Sequence, residues 1–144
     1  MSSPLVSAIG LVSTTWAALT PPDRTSETYR EDSSKKLGSD VSNHRMFAFG
    51  FPDGPDPDSE DGPGKTIAEW TFSAELFVSS AGRNQREAVE AYANETVLLR
   101  RAIDKLASYP AGVLDIQITE IRSEERGDDR SAIFTFSALT EETD

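Results

Sequence analysis

The chain has no cysteine and a single histidine, His44, among its 144 residues. Disulfides, zinc-thiolate sites and cysteine nucleophiles are thereby excluded, and no pair of histidines can hold a metal. Cations are scarce too: 14 Lys and Arg stand against 25 Asp and Glu, a formal net charge of -11. A surface of that sign repels nucleic-acid phosphates, whose capture depends on Lys and Arg displacing condensed counterions. Direct DNA or RNA binding is disfavoured, although a duplex sliding past such a surface without sticking is compatible with it. Long apolar runs are missing as well. The stretch from Pro4 to Leu19 is too short and too rich in Ser and Thr to span a bilayer, and no basic segment precedes it, so neither a signal peptide nor a membrane span is expected.

What remains fits one domain of 144 residues, with 37% apolar residues gathered in a few segments between two long loops at about 23–43 and 52–65. Leu5, Ile9, Val12, Trp16 and Leu19 recur at steps of three and four and predict a helix opening at Ser3-Pro4 and stopped by Pro21-Pro22. Asp23 to Asn43 reads as loop, with a short strand near Thr28 to Arg30. Phe47, Phe49 and Phe51 alternate with Met46, Ala48 and Gly50, which predicts a strand with one buried aromatic face. Pro52 to Gly64 combines four prolines, three glycines and five acids and predicts an exposed loop without regular structure.

The strongest strand signal runs from Thr66 to Ser79, with Trp70, Phe72, Ala74, Leu76 and Val78 on one face. Arg83 to Ala107 predicts a long helix with an apolar stripe of Ala88, Tyr92, Leu99, Ile103 and Leu106. Its Arg83, Arg86, Arg100 and Arg101 are expected on a solvated face, partly neutralised by Glu87, Glu90 and Glu95, with an acidic partner or a neighbouring copy of the chain as the alternative. Val113 to Arg122 and Arg130 to Leu139 then form an antiparallel hairpin around the charged turn Glu124 to Asp129, and Glu141 to Asp144 read as a frayed tail. The fold class implied is α+β, a mainly antiparallel sheet packed on one face by the N-terminal helix and the long central helix.

No constellation for catalysis emerges, and neither a metal nor a cofactor is expected. The acids Asp56, Asp58, Glu60 and Asp61 before Gly62 resemble a calcium loop, but the register fails and no bidentate acid follows at the required distance. Gly64-Lys65-Thr66 ends like a phosphate loop, yet Pro63 removes a donor and a strand follows where a helix is needed. His44 beside Arg45 reads as a surface or strand-edge residue, no G-x-S-x-G elbow occurs, and Glu75 and Asp115 fall in the polar alternation of strands. Asp53, Asp56, Asp58, Glu60 and Asp61 are instead candidates for a loop that contacts a partner.

The succession of segments resembles the tail terminator and tail-completion proteins of long-tailed bacteriophages. The resemblance rests on the N-terminal helix, the aromatic strand, "AELFVSSAGRNQREA" running into "EAVEAYANETVLLRRAIDKL", and the closing pair "GVLDIQITEIRSEE" and "RSAIFTFSALTEE". It covers most of the chain as an order of elements and has no signature motif, and the insert Pro52 to Gly64 departs from the family pattern. It implies a virion protein, assembled in the host cytoplasm, that forms a homo-oligomeric ring, commonly a hexamer. Such a ring caps the completed tail tube, stops its polymerisation, meets the head-proximal neck or connector protein and lets DNA pass through its lumen without specific binding. Another neck component, or a non-enzymatic acidic module that recognises a basic partner, is the alternative. Sheet edges and the loop from Asp23 to Asn43 are the expected contacts between ring subunits.

Overall fold

The computed structural model describes residues 3–35, 43–55, 60–62 and 65–143. Ser3 accepts a hydrogen bond from the Val6 amide and Pro4 occupies the first turn, so α1 (Pro4–Ala17) begins where the sequence places it. Its buried residues are Leu5, Ala8, Val12 and Trp16, while Ile9 and Leu19 are half-buried at the margin. Two short strands follow, β1 (Arg30–Glu31) and β2 (Met46–Phe49), and then β3 (Glu60–Gly62) and the 14-residue β4 (Lys65–Val78). The helix α2 (Gln85–Asp104) starts on a capping box in which Asn84 and Glu87 exchange side-chain and backbone hydrogen bonds. At 20 residues it is about 30 Å long. The hairpin β5 (Val113–Arg126) and β6 (Asp129–Thr143) closes the chain.

These strands form one sheet in the order β1-β2-β4-β6-β5, antiparallel throughout except for β1 against β2. The expected α+β architecture is the one observed. Register puts Trp70, Phe72, Ala74 and Leu76 opposite Ala138, Phe136, Phe134 and Ala132 on the face that carries both helices. Trp16 of α1 is the centre of that core, with ring centroids 5.2, 5.0 and 5.8 Å from Phe47, Phe134 and Phe136, and its indole N–H donates to the Leu99 carbonyl of α2. Each such large side chain withdrawn from water contributes roughly 1.5–3 kcal/mol.

Four expectations change. The tail is not frayed, because Glu141–Thr143 continue β6 and pair with Ile67, Thr66 and Lys65; cross-strand hydrogen bonds outweigh its acidity. The hairpin turn shrinks to Gly127 and Asp128, since Gly127 at φ 64° supplies the left-handed first position that a two-residue turn needs. The Pro- and Asp-rich segment is partly regular: Asp53 bridges to Thr71, and Glu60–Gly62 pair with Ile67, Thr66 and Lys65 along the same edge of β4 that β2 occupies. Pro52 and Pro55 fall outside these short pairings, where no ladder N–H is required. Finally, β2 ends at Phe49, so Phe51 leaves the aromatic face and is 96% exposed.

Candidate functional site

The five acids proposed as a partner-contact loop do not form one described cluster. Asp53 is exposed on the outer margin of β4, and Glu60 and Asp61 follow in β3 on the same margin, while Asp56 and Asp58 lie outside the described residues. Together with β2, these pieces build an interrupted edge strand whose register against β4 slips before Asp53 and again before Glu60. Such slips blunt an edge against indiscriminate pairing.

The most densely bonded polar group is elsewhere, and the sequence reading missed it. Arg45 is fully buried in a left-handed conformation, φ 67°, at the entrance to β2. Its guanidinium donates to Glu95 Oε1 at 2.8 Å, to the carbonyls of Arg24 and Glu27 at 2.9 Å each, and to Asp23 Oδ1 at 2.6 Å. A second contact to Glu95 Oε1, from Nη2 at 2.7 Å, uses the last of its five donors. Tyr29 donates to the other oxygen of Glu95, and its ring centroid lies 5.7 Å from the guanidinium carbon. Glu95 was expected on a solvated helix face; it is fully buried because the 23–29 segment folds over α2 there. Burial opposes the charge of Arg45, but the hydrogen bond and charge of Glu95 outweigh it and raise its pKa. Burial, then Glu95, pushes the Tyr29 hydroxyl up and keeps it protonated. The hydrogen bond from Arg83, only partly offset by burial, holds Asp23 below the usual carboxylate range, with the charge of Arg83 and contacts from Arg45 adding to it.

His44, expected at the surface or a strand edge, stands just before β2 and is 9% exposed. Its Nδ1 accepts the Ser79 amide at 3.1 Å, and burial followed by the charge of Arg45 lowers its pKa to about 4. It is therefore a neutral joint between the start of β2 and the end of β4. Arg45 and Glu95 are fully buried and Tyr29 is 1% exposed, while Asp23 closes the network from the surface, so its inner members act as a strut between segments.

A cleft of about 380 Å³ opens between the β4–α2 turn, the first turns of α2 and the β5–β6 hairpin. Val78, Ala88, Val89 and Tyr92 give it an apolar wall. Its polar groups serve one another: Asp129 accepts from the Ser80 amide and hydroxyl, and Arg130 pairs with Glu125 at 3.3 Å. Among the described residues no group of three His, Cys, Asp or Glu side chains is disposed to hold a metal ion, and no helix is long and apolar enough to cross a membrane.

Comparison with protein-family models finds no match, and comparison with curated proteins finds none.

The sheet face turned away from the helices mixes polar and apolar residues, and acids outnumber cations among its charged ones. Register aligns Glu69, Leu139 and Asp115 in one row, Ser73, Thr135 and Glu120 in another, and Phe77, Ser131 and Glu124 in a third. Glu75 and Asp115 lie on this face: Arg126 reaches across from β5 to Glu75 at 2.8 Å, and Tyr109 donates to Asp115 at 3.1 Å. Both carboxylates are thus held by neighbouring side chains. Arg122 and Arg126 of β5 and, by register, Arg30 of β1 are cations on this face.

Proposed function

We propose that this chain is a virion assembly protein of the tail terminator type, a ring-forming subunit that caps a phage tail tube and meets the neck or connector. The observation that carries the reading is the asymmetry of the sheet. One edge is the single long strand β5; the other is the interrupted line of β2, Asp53 and β3, with the short β1 beyond β2. Two unlike edges on opposite sides of one domain suit head-to-tail association, which closes into a ring when the rotation per subunit divides a full turn. The acidic open face of the sheet supports the same reading, since turned toward a lumen it lets DNA pass by repulsion. The 50–55 margin and the β5–β6 hairpin supply loops at the ends of the sheet with which adjacent rings or the tube can be engaged.

Light scattering of the purified chain across a concentration series, with electron micrographs of the same sample and co-sedimentation with tail tubes, tests the proposal. Rings, six subunits by the resemblance, and saturable capping of tube ends are the expected outcome. A chain that stays monomeric and leaves tube ends growing overturns it in favour of an acidic module for a basic partner.

A further inference from the structure

The geometry points to a specific contact between copies: the margin carrying Phe51 and Asp53 of one chain docks on the outward face of α2, around Val97, Arg101 and Lys105, of the next. This rests on the ring reading and deepens it. Phe51 is 96% exposed, while its alternation partners Phe47 and Phe49 are buried and half-buried. It is also held in place. Gly50 donates to the Ser73 carbonyl at 2.9 Å on one side, and on the other Asp53 and Thr71 exchange backbone hydrogen bonds at 2.7 and 2.9 Å. An aromatic ring pinned by its backbone and left in water is a preorganised anchor, because little conformational entropy remains to be lost when it is covered.

The complementary surface is on α2. Val89 and Val97 are 55% and 44% exposed and eight residues apart, hence on one helix face with the exposed Ala93 between them. Arg101 and the C-cap Lys105 follow Val97 at steps of four, within about a quarter turn of it. Arg86 and Arg100 are neutralised by Glu90 at 2.8 Å and Asp104 at 3.5 Å, whereas Arg101 and Lys105 are exposed and have no side-chain partner among the described residues. The helix dipole accounts for cations in the last turn. It does not account for apolar residues exposed in line with them.

In a chain of net charge -11 this is a cationic and apolar strip facing outward. The Phe51 margin supplies the matching pair, an aromatic ring followed two residues later by the exposed carboxylate of Asp53. Phe51 lies on the interrupted strand along the edge of β4, and α2 covers the helical face over β5, β4 and β6. The two patches are different surfaces of one molecule, so a second copy satisfies both at once and leaves its own pair free for the next.

The absence of cysteine makes the test clean. A chain carrying Phe51→Cys and Val97→Cys together, oxidised under conditions where the wild type forms rings, should give a ladder of disulfide-linked oligomers ending at the closed ring. Each single variant should give no ladder, since a disulfide needs the two Cα atoms within about 7 Å. Phe51→Ser should weaken association roughly thirty-fold, the loss usual for a truncated aromatic anchor, with the unfolding midpoint unchanged because the side chain is in water. Arg101→Asp should weaken association as well, and adding Asp53→Arg should restore it. Wild-type rings that ignore Phe51→Ser and give no 51–97 bond overturn this contact and leave the ring reading standing. A wild type that never associates, in solution or on tube ends, overturns both.

Discussion

Among the described residues, Arg45 gathers the most side-chain hydrogen bonds. Its five donors tie the carbonyls of Arg24 and Glu27, the carboxylate of Asp23 and that of Glu95 to the entrance of β2. A left-handed non-glycine residue costs roughly 1–3 kcal/mol and persists only where its surroundings over-determine it. Removing Glu95 would strand a buried guanidinium, so Glu95→Ala should lower stability by about 3–5 kcal/mol in urea unfolding. Glu95→Gln, which retains an acceptor, should cost less. His44 acts in the opposite sense. Its pKa falls from 6.5 to about 4 on folding, so between those values the unfolded chain binds more protons. Its stabilisation is complete above pH 6.5 and is lost as the pH falls toward 4, by at most roughly 3 kcal/mol. His44→Asn, which keeps an acceptor for the Ser79 amide, should flatten the dependence of unfolding free energy on pH between 6.5 and 5; an unchanged slope there would assign it to other groups.

Among the elements, the junction of α1 with the start of β5 is the tightest. Gly112 has φ 85°, and a Cβ there would meet Pro4 Cγ at 2.7 Å and the Glu141 carbonyl at 3.1 Å. Glu141 also donates its amide to the Gly112 carbonyl at 2.7 Å, so this one residue couples the helix start, the end of β6 and the first residue of β5. Gly112→Ala combines a strained backbone with a clash and should cost about 1–3 kcal/mol in thermal unfolding. The same substitution at Gly10, where nothing lies within 4 Å, is the control, and helix propensity there favours Ala. At this scale much was legible. Ser3-Pro4, the alternation from Trp70 to Val78 and the long stripe of α2 each announce their element, because each is a local pattern. The start of α2 was also written in the sequence, as Asn84-x-x-Glu87, a capping box with Asn in place of Ser or Thr. Whether Glu95 faces water or core was not written there. That depends on a segment some 66 residues earlier in the chain, where Tyr29 lies.

For the whole molecule, what matters is which surfaces remain once the core is closed. Both helices spend their apolar stripes on one sheet face, leaving an acidic face, two unlike edges, an exposed Phe51 and a cationic line on α2. If these surfaces mate head to tail at a fixed angle, light scattering should find one discrete multiple of the protomer mass, since closure removes the free ends. A continuous series growing with concentration would mean that the rotation does not close, and would count against a terminating ring.

Composition and local periodicity determined the α+β class, the two helices, the long strand and the closing hairpin, because those signals reside in residues a few positions apart. They also determined the absence of thiol and paired-histidine chemistry and the acidic character of the surface. Tertiary structure alone decided that Arg45, Glu95 and His44 are interior, that the acidic segment is partly an edge strand, and that Phe51 is in water. The reason is physical. A charged residue is buried only where distant chain segments bring enough acceptors to replace its hydration, and an aromatic one is exposed where the register of a neighbouring strand slips; both are decided by residues far away in the sequence.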